Sequence, residues 1–170
     1  MEETPRHALI GVGANLGDRW GTIRAALGAL AREPGILSVD SSSVYETDPV
    51  DVREQPPFLN LAAAVATALS PEELLEALHR LESAAGRRRE CEVRWGPRPL
   101  DLDLLLFEGE VRTGAALTLP HPRLWERAFV TVPLRELVAR HVWWNGPAWE
   151  DARKRLAAAT SAQGVRLWNP

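Results

Sequence analysis

Cysteine is almost missing: Cys91 is the only one in 170 residues. That excludes an internal disulfide and a cysteine-built zinc site, and it points to a reducing cytoplasm. Lysine is as scarce. Lys154 stands alone, although lysine and arginine together number 20. Any anion handled by a side-chain cation before that position must be handled by arginine, so lysine-dependent phosphate loops and Schiff-base chemistry are excluded there. Of the 4 histidines, no two sit at metal-ligand spacing. The net charge of -3 argues against a protein that binds nucleic acid through global charge. There is no apolar run long enough to span a bilayer and no basic–apolar–small leader pattern, so a cytoplasmic protein with no membrane partner is expected. Repeats and low-complexity segments are also missing. The length suits one domain over 1–170, with a core at about 7–140 and an extension at 141–170 that carries Trp143, Trp144, Trp149 and Trp168.

What is present is punctuated clearly. Residues 7–13 predict a short buried strand. Asn15-Leu16-Gly17 turns it, with Asp18 as a helix N-cap. Trp20, Ile23, Ala26, Leu27 and Leu30 recur at helical spacing until Pro34-Gly35 stops them. Leu37, Val39, Ser41, Ser43 and Tyr45 alternate through 36–47 and predict a second strand, followed by a Pro- and charge-rich loop at 48–57, a kind of segment usually kept for function. Residues 58–69 have helix propensity, yet they follow two prolines and run into an explicit helix start, so they read as a strand. Ser70-Pro71-Glu72-Glu73 is that start, a capping box with proline at the first helical position. Leu74, Leu75, Leu78 and Leu81 form the buried stripe, which ends near Ala85-Gly86. A basic loop at 87–94 then leads to another strand from Asp101, and 117–140 holds a turn at Leu119-Pro120-His121-Pro122 and one or two helices. The order strand–helix–strand–strand–helix–strand predicts an α+β, ferredoxin-like βαββαβ core: an antiparallel sheet with helices packed on one face, plus a C-terminal helical extension.

The densest chemistry lies in Arg94-Trp95-Gly96-Pro97-Arg98-Pro99-Leu100-Asp101-Leu102-Asp103-Leu104. Asp101 and Asp103 alternate with leucines, so their carboxylates leave one face of a strand about 7 Å apart. Paired anions repel, and a fold keeps them cheaply only with cations between or above them. Asp is also disfavoured in strand interiors. Arg94 and Arg98 sit just upstream, and the corner suits a divalent metal plus a polyphosphate. The alternative is a strand whose solvent face carries two aspartates. Arg87, Arg88 and Arg89 concentrate positive charge ahead of that strand. They read as a polyphosphate clamp, since Arg forks give phosphate two hydrogen bonds each, against a merely solvated loop. Gly11-Val12-Gly13-Ala14-Asn15-Leu16-Gly17 misses the dinucleotide fingerprint by one residue and has no Gly-Lys-Ser/Thr ending; a tight strand-to-helix turn is its expected role. His121 sits in a rigid turn among cations, while His7, His79 and His141 have no partners in the pattern. Phe58, Trp95 and Phe129 flank polar segments, and two of them could hold a flat heterocycle.

With these residues laid out, the chain resembles the 6-hydroxymethyl-7,8-dihydropterin pyrophosphokinases of the folate pathway. Arg94-Trp95-Gly96-Pro97-Arg98-x-x-Asp101-x-Asp103 matches that family's signature at every fixed position. Gly13-x-Asn15-Leu16-Gly17, Tyr45-x-Thr47, Gln55-Pro56-x-Phe58-Leu59-Asn60, Gly86-Arg87 and Leu119-Pro120-His121-Pro122, followed by Arg127 and Phe129, match in the same order. The resemblance covers about residues 8–137. It implies transfer of pyrophosphate from ATP to the pterin's hydroxymethyl oxygen, with AMP released, by a monomer that needs no nucleic acid. It further implies two Mg2+ ions held by Asp101 and Asp103, and Arg87, Arg89 and Arg98 as catalytic alongside the aspartates. ATP contacts are implied for Glu82, Arg87, Arg89, Trp95, Arg98, Leu104, His121 and Arg127. Pterin contacts are implied for Thr47, Asp48, Val50, Phe58, Asn60, Trp95, Asp101 and Phe129, with the two phenylalanines sandwiching the ring. Three positions depart from the family pattern. Ala14 replaces a serine, Asp48 stands where proline is frequent, and the loop at 86–94 is about one residue longer, which leaves open whether Arg88 or Arg89 clamps. A two-metal nucleotidyltransferase or nuclease would need a third carboxylate and a Gly-Ser nucleotide loop, neither clearly placed here. A non-catalytic binding module would have no reason to keep the Arg94/Arg98/Asp101/Asp103 cluster together.

Overall fold

The computed structural model describes residues 4–50, 53–92, 94, 96–159 and 164–170. The βαββαβ order is present: β1 (Arg6–Ala14), α1 (Arg19–Leu30), β2 (Ile36–Ser41) with β3 (Tyr45–Thr47), β4 (Phe58–Thr67), α2 (Pro71–Ala84) and β5 (Asp101–Phe107). The local signals act as read. The Asp18 side chain accepts from the Gly21 N–H at the start of α1, and the Ser70/Glu73 capping box is complete at α2. A small hairpin of β6 (Arg112–Thr113) and β7 (Thr118–Leu119) follows, then α3 (Ala128–Val138), α4 (Glu150–Ala158) and β8 (Val165–Leu167).

The main sheet runs β5-β1-β4-β3-β8, with β2 beside β3 along β4, and every pairing is antiparallel. Both faces of its centre are buried. Ala8, Ile10, Val12, Leu61, Ala63 and Val65 meet Ile23, Leu30, Leu74 and Leu78 of α1 and α2 on one side. On the other, Leu9, Ala62 and Ala64 meet Val130, Leu134 and Leu137 of α3, with Trp144, Trp149 and Leu156 from the C-terminal segment. Two-sided burial explains why β4 reads as an unbroken apolar run rather than an alternation.

Two expectations are corrected in detail. The single strand at 36–47 is two strands. Ser41 faces Ala63 while Tyr45 faces Asn60, so four steps on one side match three on the other, and the extra residue falls at the Ser42–Val44 corner. There the Ser42 hydroxyl accepts from the Ala62 N–H at 3.0 Å. The extension is also more than helical, because β8 adds a strand alongside β3; three residues are too few for a periodic signal to show it.

Candidate active site

Gly11 and Gly13 lie inside β1, not in a turn, and their position prepares the site. Asp103 stands opposite Gly11 and Asp101 opposite Gly13, while Gly13 faces Asn60 across its other edge. Directly opposed residues share a face, so the aspartates and Asn60 look over a floor cleared of side chains. A Cβ at position 13 would lie 2.6 Å from Asn60 Oδ1. The turn role expected for the glycine run falls to Gly17, whose φ is 63°.

The positive charge is layered over that floor. Arg87 is buried among three carboxylates: NH1 donates to Glu82 Oε1 at 2.5 Å and to Asp101, and the guanidinium forks onto Glu92 at 2.8 and 3.1 Å. These anions hold its pKa above the ordinary arginine value despite burial. Glu82, with its side chain 1% exposed, also accepts from the Leu102 N–H at 2.7 Å and from Arg89. It therefore braces both arginines against the outer edge of β5, a different position from the open nucleotide-facing one that the resemblance implies. Arg98 NH1 reaches Asp101 Oδ2 at 3.1 Å, so both oxygens of that carboxylate are paired with arginines. For Asp103, burial pushes the carboxyl up to about 7 and the Asp101 charge adds to the shift, while Arg127 and Arg98 pull against it.

Arg87, Arg89, Arg94, Arg98, Arg123 and Arg127 line a cavity of about 470 Å³ together with Asp101, Asp103 and His121. Arg89 lies in its wall and Arg88 does not. His121 is held by its N–H to Leu105 O at 2.8 Å, and burial followed by Arg127 pushes its pKa down. Its Nδ1 accepts from the Arg123 N–H at 3.3 Å, so the neutral ring carries its proton on Nε2 and remains a donor. Leu104 and His79 line a neighbouring recess with Arg89, Thr118 and His121.

A narrower slot opens on the other side of Asp101, lined by Thr47, Asp48, Val50, Phe58, Asn60 and Phe129. Asn60 Nδ2 donates to Thr47 Oγ1 at 2.6 Å, a buried polar pair in a slot whose wall also carries Asp101, Arg98 and Arg127. Trp95 lies outside the described residues. Of the other residues expected to contact ATP or the pterin, Glu82 lies outside the linings of these cavities, and the rest line at least one of them.

Two residues were missed. Asn15, nearly fully buried, accepts from the Arg98 N–H at 2.8 Å and donates to Gln55 Oε1 and Pro56 O, both at 3.0 Å. It joins the end of the 48–57 loop to the arginine segment. A buried asparagine after a strand was the available signal. Glu92 grips Arg87, and nothing in the pattern separates it from its acidic neighbours.

Residues 9–139 match the family model of 7,8-dihydro-6-hydroxymethylpterin-pyrophosphokinase (HPPK). The chain belongs to this family. Among HPPK relatives, the 2-amino-4-hydroxy-6-hydroxymethyldihydropteridine pyrophosphokinase of Bacillus subtilis is 41% identical over 161 residues, covering 95% of this chain and 89% of that protein. The enzyme of the same name from Methylorubrum extorquens is 45% identical over 130 residues, with 76% and 81% covered. The mitochondrial folate synthesis bifunctional protein of Arabidopsis thaliana is 43% identical over 143 residues; these cover 84% of this chain but 25% of that protein. Among solved structures, an HPPK-DHPS complex with substrates superposes with a TM-score of 0.61 over 91% of this chain and 43% of that one, at 14% identity, a likeness of fold.

Proposed function

We propose that this site transfers the pyrophosphoryl group of ATP to the hydroxymethyl oxygen of 6-hydroxymethyl-7,8-dihydropterin, the step its family performs in folate synthesis. The observation that carries the reading is that Asp101, Arg98 and Arg127 line both cavities at once. A triphosphate in the arginine-lined cavity and a flat ring in the phenylalanine-flanked slot would meet at Asp101. The pterin hydroxyl oxygen attacks the β-phosphorus and releases its proton to solvent, the bond from that phosphorus to the α–β bridging oxygen breaks, and AMP leaves with the bridging oxygen. Phe58 and Phe129 sandwich the ring, Asn60 and Thr47 offer hydrogen bonds to its edge, and Asp48 and Val50 wall the entrance. Arg87, Arg89, Arg98, Arg127 and the His121 Nε2–H take the phosphate oxygens, and the recess beside Leu104 takes the nucleoside end. Every residue named comes from one copy of the chain, so a monomer suffices.

Asp101 and Asp103 are a fitting donor pair for two magnesium ions, because the raised Asp103 pKa marks an anion in want of a cation. Among the described residues no group of three or more His, Cys, Asp or Glu could hold a metal, so phosphate and water would supply the other ligands. Magnesium bound with ATP would neutralise the triphosphate and acidify the attacking hydroxyl. The protein's share is alignment and fixed positive charge, and no side chain is assigned as general base. That no third carboxylate joins the pair as a metal ligand among the described residues also counts against a two-metal nuclease.

The test is incubation with ATP, Mg2+ and the pterin, with nucleotide products separated by chromatography. AMP appears only when the pterin is present, and Asp101→Ala or Asp103→Ala lowers the rate by about a thousand-fold or more. ADP as product, or turnover without pterin, overturns the reading.

A further inference from the structure

The loop beside the ring slot is tied at both ends by a chain of charges that reaches into the C-terminal strand. At its exit, Arg19 NH1 donates to Pro57 O at 2.9 Å and to Glu46 Oε2 at 3.0 Å. At its entrance, Arg166 NH1 donates to Asp48 Oδ1 at 3.0 Å and NH2 to Glu46 Oε1 at 3.4 Å. Glu46 thus links the two arginines. The backbone reinforces the tie: the Asp48 N–H donates to Gly164 O at 3.0 Å and the Trp168 N–H to Val44 O at 2.9 Å, on either side of the Glu46–Arg166 pair in the β3–β8 ladder. Trp168 also sits 5.9 Å from the Trp20 ring, which anchors the strand end to α1. Without β8, the three-residue β3 would be the sheet's edge, with its outer N–H and C=O groups bare. Thr47 and Asp48, which β8 holds, line the slot, whereas Arg166 lies outside its lining. The family-model match stops at residue 139, so β8 and Arg166 lie beyond it while their partners Glu46 and Asp48 lie within it.

We propose that β8, through Arg166, is a positioning element for the ring slot: it fixes the start of the 48–57 loop and so sets affinity for the pterin without touching it. The inference rests on the reading of that slot as the pterin site. Arg166 is half-exposed, and exposed ion pairs are individually weak and screened by salt. The effect is therefore graded and confined to one substrate.

The experiment compares wild type, Arg166→Ala, Arg166→Lys and a chain ending at Gly164. Equilibrium Kd values for pterin (by its fluorescence) and for ATP are measured with kcat and melting temperature. Arg166→Ala raises the pterin Kd about three- to ten-fold, the shortened chain raises it further, and the lysine variant recovers part of the loss. ATP Kd, and kcat at saturating pterin, stay within about two-fold. High salt weakens pterin binding by wild type and leaves Arg166→Ala nearly unchanged. Wild-type pterin affinity in Arg166→Ala, or equal losses for both substrates, overturns the inference while leaving the slot assignment standing. A wild-type protein that binds no pterin overturns the assignment itself.

Discussion

Replacing Glu82 tests the site's architecture most severely, because one buried carboxylate carries three loads. Its Oε1 takes the Arg87 NH1 and the Leu102 N–H, and its Oε2 takes Arg89. Glu82→Ala removes all three. The Leu102 N–H, on the outer edge of β5, loses its acceptor at a cost of about 1–3 kcal/mol. Arg87, with its side chain 5% exposed, keeps Glu92 and Asp101 but loses its deepest partner. Breaking one side of a buried ion pair typically costs about 3–5 kcal/mol in total. In a chain of this length, 1 kcal/mol moves the melting temperature by roughly 2–4 °C, so Glu82→Ala melts roughly 6–20 °C below wild type by calorimetry. Glu82→Gln keeps one acceptor for the Leu102 N–H but turns an amide NH2 towards a guanidinium, and it falls between the two. Both variants raise the KM for ATP more than that for pterin, since the arginines they release line the phosphate cavity. A Glu82→Ala protein that melts within a degree of wild type would refute the bracing role. So would a glutamine variant as damaged as the alanine one.

Two further outcomes follow from the same floor and the same charges. The Asp103 carboxyl is raised to about 7 in the fold, so between about 4 and 7 the native state binds more protons than the unfolded one, and ligand-free stability falls as pH rises through that window. Asp103→Asn removes the slope, so its melting temperature gains on wild type from pH 5.5 to pH 8; a constant gap would show that the raised pKa is wrong. Gly13→Ala puts a Cβ 2.6 Å from Asn60 Oδ1 and displaces the amide from Thr47, raising the KM for pterin while the KM for ATP stays within about two-fold; unchanged pterin kinetics would mean that the cleared floor is irrelevant.

Much of the fold was legible because its signals are local. The Asp18 cap and the Ser70–Glu73 box each act within a turn of chain, and the structure places them as read; of the Leu74/Leu75/Leu78/Leu81 stripe, Leu75 instead lines the recess beside His79. The acidic pair was legible because a strand's two-residue period puts Asp101 and Asp103 on one face without help from any partner. What stayed hidden depends on residues distant in sequence. Gly11 and Gly13 acquire their role only when β5 pairs with β1, some 90 residues later. Ser42 absorbs the extra residue of a bulge that only the partner strand β4 reveals. Glu82 stood out only as an ATP contact implied by the resemblance, and its bracing role shows only once the arginines after the helix fold back onto it.

The pairing of these side chains explains how so much buried charge is tolerated. Asp101 holds Arg87 and Arg98, Glu82 holds Arg87 and Arg89, and Glu92 closes the set, so cations that suit phosphate are kept in place by anions that suit metal. Neither sign has to be desolvated alone, which would be the costly alternative. On the function proposed above, substrate binding would be an exchange rather than an addition: phosphate oxygens would take over from Asp101 as partners of the arginines only as Asp101 gained a divalent cation. Each half of that exchange strands a buried charge without the other. On that reading the metal and the triphosphate would be linked through Asp101, with the Asp103 charge adding to the pull for the cation. The proposed pterin slot lies on the far side of the same residue, so the chemistry would sit where all three meet.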